Sequence, residues 1–393
     1  MSASTEISSL DTLDTLDAFT AGHEAQDPAL RRIVEQVQQA HAQRTPLEIR
    51  GGGTKRFYGN AVPEGTASME ILDTRTLQGV LQYEPSELVV TVRTGTSLAE
   101  LEALLDAQGQ CLAFEPPRLG DPGASTVGGM VAAGLAGPSR AAVGGVRDFV
   151  LGASLLNGRG EWLHFGGQVM KNVAGYDVSR LLAGSMGVLG VITDVSLKVL
   201  PRPAASTTLR FDCDEAEALE RMNGWGGQPW PIHATAWWNG TLVVRLSGAQ
   251  AAVRFARDRL GGELVDAALA RAFWQGLRDQ TDEYFVAAAS SVAQGGRLWR
   301  LSVPDTTGPL VLRGDTLLEW GGAQRWLCTD APPEQVRDLV HRHGGHATVY
   351  RAEPPHDDVF SALSSPLARV HRQLKAAFDP RGIFNPGRLY ADL

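Results

Sequence analysis

The chain has 393 residues, 43% apolar and 20% charged, which is ordinary for a globular protein with room for two or three cored domains. Its net charge of −8 excludes the basic footprint that nucleic acid or an anionic membrane would require. No run approaches the roughly 18 apolar residues of a membrane span, and Met1 to Thr20 lacks both the basic and the apolar region of a signal peptide, so a cytoplasmic location is expected.

Residues 1–27, with the polar repeat Thr12-Leu13-Asp14-Thr15-Leu16-Asp17, read as a flexible arm. Asp27-Pro28 is a cap and first-turn pair for a helix in which Leu30, Ile33, Val34, Val37 and Ala40 recur at helical spacing. A strand over 47–49 then runs into a glycine-rich stretch, Arg50-Gly51-Gly52-Gly53-Thr54-Lys55. Strands are expected over 69–72 and 88–93. Ser97 and Glu100 form a capping-box pattern for a helix over 98–107, which Gly109 ends. A second glycine-rich stretch, residues 120–145, gathers Gly120, Gly123, Gly128, Gly129, Gly134, Gly137, Gly144 and Gly145 around Ala124, Ser125, Thr126 and Val127. Asp177 is placed to cap a helix over 178–183 that Gly184 closes. Pro201-Arg202-Pro203 is the best domain boundary. Beyond it, strands over 242–246 and 298–303 alternate with helices near 215–222, 251–260 and 333–343.

Glycine allows positive φ and close backbone approach, and clustered N–H groups make concavities that bind anions such as a pyrophosphate. Two such stretches, about seventy residues apart, suit a long dinucleotide held from two sides. The familiar alternatives fail on spacing. A P-loop needs G-x-x-x-x-G-K-[ST], whereas Lys55 follows Thr54 and precedes Arg56. A Rossmann fingerprint must open a helix, and Arg56-Phe57-Tyr58-Gly59-Asn60 does not read as one.

The ordered frame resembles the FAD-binding domain of the vanillyl-alcohol oxidase/PCMH flavoprotein superfamily. Its landmarks are Arg50 to Lys55, Pro116-Pro117-Arg118-Leu119-Gly120 through Gly129, Gly144-Gly145-Val146-Arg147-Asp148-Phe149-Val150-Leu151-Gly152, Lys171-Asn172-Val173-Ala174-Gly175-Tyr176-Asp177, and Gly184 through Thr193. The tail Asp379-Pro380-Arg381-Gly382-Ile383-Phe384-Asn385-Pro386-Gly387 is similar to that of the 2-hydroxyacid dehydrogenase relatives, and within the superfamily the chain is most similar to the FAD-binding E subunits of bacterial glycolate oxidases. The resemblance implies an α+β fold: a PCMH-type FAD-binding domain of two α/β subdomains over 28–204, an α+β cap with an antiparallel sheet over 205–359, and a segment 360–393 returning to the first domain. It implies FAD contacts from Arg50, Gly51, Gly52, Gly53, Thr54, Lys55, Pro117, Gly120, Gly123, Ala124, Ser125, Thr126, Val127, Gly128, Gly129, Gly187, Gly190, Val191, Ile192 and Asn385. Covalent attachment in the superfamily uses a His or Cys in the flavin-facing loops. Neither loop has one, so the FAD is expected to be non-covalent.

Lys171 and Asn172 are candidates for contact with flavin or substrate, beside the plainer role of their segment as a helix lead-in. His341, His343 and His346 lie at a helix end beside Gly344-Gly345, where cations suit the dipole better than a metal suits the spacing, and no metal is expected. Relatives that oxidise 2-hydroxyacids alone often carry G-E-H-G in the cap. Here Gly344-Gly345-His346-Ala347 lacks the Glu. Cys111, Cys213 and Cys328 are read as buried, inert thiols, too few for a cubane cluster. The expected partners are therefore a second FAD-binding glycolate oxidase subunit and an iron-sulfur subunit, with a small 2-hydroxyacid as substrate. A stand-alone dehydrogenase and a flavin-stabilised assembly subunit remain as alternatives.

Overall fold

The computed structural model describes residues 27–61, 69–167, 177–355 and 358–393. The N-terminal repeat and Lys171-Asn172 lie outside them. The first half comprises α1 (Pro28–Gln43), β1 (Leu47–Arg50), β2 (Glu70–Asp73), β3 (Val80–Glu84), β4 (Val89–Arg93), α2 (Leu98–Asp106), β5 (Gln110–Cys111), α3 (Val127–Ala133), α4 (Arg140–Val143), α5 (Val146–Phe149), β6 (Val150–Leu156), β7 (Trp162–Gly166), α6 (Val178–Leu181), β8 (Val191–Lys198) and β9 (Leu200–Pro201). β1 and β2 form a small parallel pair covered by α1. β3-β4-β8-β6-β7 make an antiparallel sheet. Asp27 caps α1 by accepting from the N–H groups of Ala29 and Leu30, and Leu30, Ile33, Val34, Val37 and Ala40 are all buried against β1, β2 and Trp162. Asp177 caps α6 by accepting from Arg180 N–H. The capping box at Ser97 does not form: Ser97 makes no side-chain cap bond, because its backbone is already bridged to Thr126 of the second glycine stretch.

Residues 205–352 supply one eight-stranded sheet. In chain order these are β10 (Ala205–Asp212), α7 (Glu215–Gly226), β11 (Ile232–Trp238), β12 (Thr241–Gly248), α8 (Gln250–Leu260), β13 (Glu263–Leu264), α9 (Ala267–Asp279), α10 (Glu283–Val292), β14 (Arg297–Ser302), β15 (Asp315–Glu319), β16 (Gln324–Thr329), α11 (Pro333–Arg342) and β17 (His346–Ala352). The strand order is β13-β10-β12-β11-β15-β16-β14-β17, with every pair antiparallel. One stretch of its core, with Trp274, Tyr284, Phe285, Trp326 and Tyr350, is continuous with Tyr58, Ala133 and Leu135 of the first half. That contact brings the sheet over the glycine-rich loops.

The last helix, α12 (Ser365–Phe378), leads into a tail that docks under β1: Leu47 pairs with Phe384, and Asn385 N–H donates to Leu47 C=O. The dock is organised by Lys375. Its ammonium, on a residue 7% exposed, donates to Asp379 Oδ2 at 2.8 Å and to the carbonyls of Val188 and Phe384 at 2.8 and 2.7 Å. Cys213 and Cys328 are buried, but Cys111 is half-buried because the short β5–β9 pair leaves it at the lip of a cleft.

Candidate functional site

The two glycine-rich loops meet. A Cβ built on Gly52 would lie 1.5 Å from the Ala124 carbonyl oxygen, and one on Gly51 would lie 2.4 Å from Thr126 Oγ1. The Thr54 and Ser125 hydroxyls are 3.2 Å apart, and Gly120 packs on Thr54. In the second loop Thr126 Oγ1 caps α3 by accepting from Gly129 N–H at 3.2 Å, while Val127 and Gly128 donate their N–H groups to Thr96 and Thr94. Positive φ occurs at Gly53 (+69°), Gly120 (+76°) and Gly123 (+83°), but not at Gly52 or Gly129, where the need is for space rather than for left-handed backbone.

The backbone N–H groups of Gly51, Gly52, Gly53, Thr54 and Lys55 find no acceptor among the described residues, nor do those of Gly123, Ser125 and Thr126. Two facing rows of unspent donors are costly unless water or an anion takes them. The cradle therefore fits a pyrophosphate. The Arg50 side chain has another occupation: it donates to Glu48 at 2.5 and 3.0 Å, and Arg56 shares the same carboxylate. Burial would raise the Glu48 carboxyl, but Arg50 and Arg56 hold it below its ordinary value.

The third candidate segment closes the root of the first loop. Asn385 Oδ1 accepts from Ile49 N–H at 2.8 Å, and its Nδ2 donates to Met186 C=O at 2.7 Å. A Cβ on Gly187 would strike that Nδ2 at 2.6 Å. Gly190 packs at the Leu156 carbonyl, and Val191 and Ile192 are core residues of β8. Those three support the site from beneath.

Lys55 projects from the first loop into a largely buried position. Burial pushes its ammonium down to about 8, with Asp279 opposing the shift. Below that value the side chain is a cation beside an anion-binding loop; as pH rises through about 8 the charge goes. FAD is thus expected to dissociate more readily at pH 9 than at pH 7, and Lys55→Met should flatten that dependence. Titration of the flavin absorbance at both pH values measures it, and an unchanged pH dependence in the variant counts against the role.

Two cavities lie where the cap sheet meets the first half. The larger, about 1,240 Å³, opens between α2, the loop 112–118 and the β10–β12–α9 side of the cap. Its wall is braced by Arg245, which donates to Glu115 Oε2 at 2.7 Å and stacks over Trp274. Burial pulls His233 beside them below its ordinary value. The much smaller one is lined by Pro117, Leu135, Ala136 and Gly137 from below, and by Gln280, Arg300, Glu319, Gln324, Trp326 and Tyr350 from the cap. Of the residues proposed from sequence, Pro117 alone is among those lining this pocket. The cap groups come from the end of α9 and from four strands, with no local motif. The sequence signal that could have flagged Glu319 is a lone carboxylate in the apolar run Leu317-Leu318-Glu319-Trp320. No group of three His, Cys, Asp or Glu capable of holding a metal occurs among the described residues; His341 and His343 are exposed at the end of α11.

These loops, capped by an antiparallel sheet, define an FAD-linked oxidoreductase. A family model described as "FAD binding domain" matches residues 30–166, and one described as "FAD linked oxidases, C-terminal domain" matches residues 361–389. The chain is 46% identical over 361 residues to glycolate oxidase subunit GlcE of Escherichia coli, which covers 92% of this chain and 97% of that one, and it belongs to that subunit's family. It is 31% identical over 166 residues to glycolate oxidase subunit GlcD of Bacillus subtilis, 42% of this chain and 34% of that one. Among solved structures, an alkyldihydroxyacetonephosphate synthase superposes with a TM-score of 0.63 at 17% identity, over 90% of this chain and 74% of that one, a likeness of fold. Among the described residues no helix is long and apolar enough to cross a membrane.

Proposed function

We infer that the chain is the FAD-binding subunit of a complex oxidising glycolate to glyoxylate, with electrons leaving through the flavin to an iron-sulfur subunit and a second FAD-binding subunit alongside. The observation that carries this reading is near full-length identity to a glycolate oxidase subunit, joined to two facing loops with unspent N–H donors. The flavin supplies two-electron redox chemistry; the protein supplies position, electrostatics and exclusion of competing reactions. Gly51 to Lys55 and Gly123 to Thr126 would hold the pyrophosphate, and Pro117 with Leu135 to Gly137 would form the floor beneath the reacting end. Three scattered cysteines cannot ligate a cubane cluster, so the electrons must leave for another carrier.

Dye reduction by glycolate tests the reading, using the purified chain alone and with its partners. Turnover with the full set and none alone is the expected result. No turnover with the full set overturns it. Turnover by the chain alone makes it a stand-alone dehydrogenase. Full activity from a complex containing a flavin-free loop variant of this chain makes it an assembly subunit.

The cofactor is expected to be non-covalent, since Gly51 to Asn60 and Gly120 to Gly145 contain no His or Cys. Acid should release all yellow colour, and flavin comigrating with denatured protein contradicts this. A ligand at a thousandfold excess over its Kd stabilises the folded state by about 4 kcal/mol. FAD should raise the Tm of the apoprotein by several degrees, whereas NAD at the same concentration should not.

A further inference from the structure

The larger cavity, about 1,240 Å³, lies where the chain crosses from the first half into the cap. Leu200 to Pro203, the crossing itself, line it beside α2, and β10, β12 and α9 supply the cap side. No residue of Gly51 to Lys55 or Gly123 to Thr126 lines it, so it is separate from the pyrophosphate cradle. Junctions of this kind are favoured places for small-molecule sites, and the volume is ample for one.

The charges in its lining are unequally spent. All four carboxylates are occupied. Glu102 pairs with Arg118 at 3.3 Å, Asp106 with Arg202 at 2.6 Å and Glu115 with Arg245 at 2.7 Å. Asp266 accepts from the Ala268 and Leu269 N–H groups that it caps. Five arginines stand in the same lining, and three of them keep donors to spare. Arg245 is 8% exposed, yet its Nε is buried with no acceptor among the described residues. Arg118 Nε is buried and unanswered in the same way. Arg271, exposed on α9, has no ion pair among the described residues. Buried guanidinium N–H groups without an acceptor are costly unless a ligand or water takes them. In a chain of net charge −8 the lining holds one more arginine than carboxylate, so it draws anions. It also holds Ala99, Ala103, Leu112, Val143 and Leu200, apolar surface that a bare inorganic ion would leave wet.

We propose that this cleft binds a small organic oxyanion, a carboxylate or a phosphate carried on an apolar body. Arg118 from the first half and Arg245 and Arg271 from the cap are its donors. The planar guanidinium fork matches either oxyanion. Arg118 N–H already donates to Asp279 Oδ1 at the end of α9 at 2.9 Å, so a ligand held by these arginines adds a second tie between the cap and the first half. The site stands independently of the glycolate reading.

Benzoate and phenyl phosphate are the probes, titrated by calorimetry into FAD-loaded protein so that the pyrophosphate cradle is filled. At least one should bind with a Kd of about 1 mM or tighter, and the tighter of the two identifies the oxyanion. Benzamide, which lacks the charge, and inorganic phosphate, which lacks the apolar body, should each bind about tenfold more weakly or worse. Arg271→Met removes an exposed cation, and Ala103→Phe fills the cleft from the exposed face of α2. Each should cut the affinity about tenfold while the Tm of the unliganded protein stays near wild type. Arg245→Lys keeps a cation for Glu115 but has no Nε donor, and it should weaken binding likewise. The proposal is overturned if neither probe binds, if benzamide matches benzoate, or if inorganic phosphate matches phenyl phosphate. Unchanged affinity in Arg271→Met and Ala103→Phe also overturns it. So does binding seen only in flavin-free protein, which places the probe in the cradle instead.

Discussion

Gly52→Val should leave a chain that no longer holds FAD. The new Cβ would lie 1.5 Å from the Ala124 carbonyl oxygen and 2.6 Å from its carbon, both backbone atoms that cannot swing aside as a side chain does. The two loops must separate, and with them the facing rows of donors at Gly51 to Lys55 and Gly123 to Thr126. Overpacking costs about 1–3 kcal/mol, occasionally more, so the domain should still fold while the cradle is lost. Gly129→Val is the milder partner, because its Cβ meets Thr126 Oγ1 at 3.2 Å and φ is not positive. The flavin-to-protein ratio after gel filtration and the Tm of each apoprotein separate the two effects. Gly248 would be a poor cap control at φ +148°; Gly224→Ala in α7, with nothing within 4 Å, is a clean one. Full flavin in Gly52→Val would mean that the meeting of the loops does not hold the cofactor.

The largest loss of stability is expected from Lys375→Met. Removing the ammonium strands the carboxylate of Asp379, 1% exposed, along with the Val188 and Phe384 carbonyls. Breaking a buried pair from one side costs about 3–5 kcal/mol, or roughly 6–20 °C in Tm for a domain of this size. Asp379 also accepts from the N–H groups of Ile383 and Phe384, so the tail should loosen and FAD affinity should fall with it. A double variant, Lys375→Met with Asp379→Leu, removes both charges and should recover part of the loss. A Tm within 2 °C of wild type for the single variant would show that the tail does not depend on this ion pair.

The parts legible in sequence are those whose cause is local. Glycines that must fit against backbone announce themselves, as do Asp27 and Asp177 at helix starts and the apolar stripe of α1. Ser97 was misleading because its partner, Thr126, is distant and already satisfies the local geometry by bridging. The helices α9 and α10 went unread, although Asp266 and Asp282 cap them and Ala270, Trp274 and Leu277 line one buried face of α9. The small pocket was invisible for a stronger reason. Arg300, Glu319, Gln324 and Tyr350 stand on four strands whose adjacency exists only in the order β15-β16-β14-β17.

The side-chain bonds of Asn385 to Ile49 N–H and Met186 C=O have a consequence for synthesis. The root of the first loop is fastened by a residue 336 positions further along the chain. Domains form in order of emergence during translation, at about 5–20 residues per second. The first glycine loop therefore waits for almost the whole polypeptide, cap included, before its last fastening arrives. A ribosome-bound chain stopped before residue 385 would carry every glycine of the cradle and still grip the dinucleotide loosely. The hold on the first loop is thus completed from far along the chain, not by its sequence neighbours.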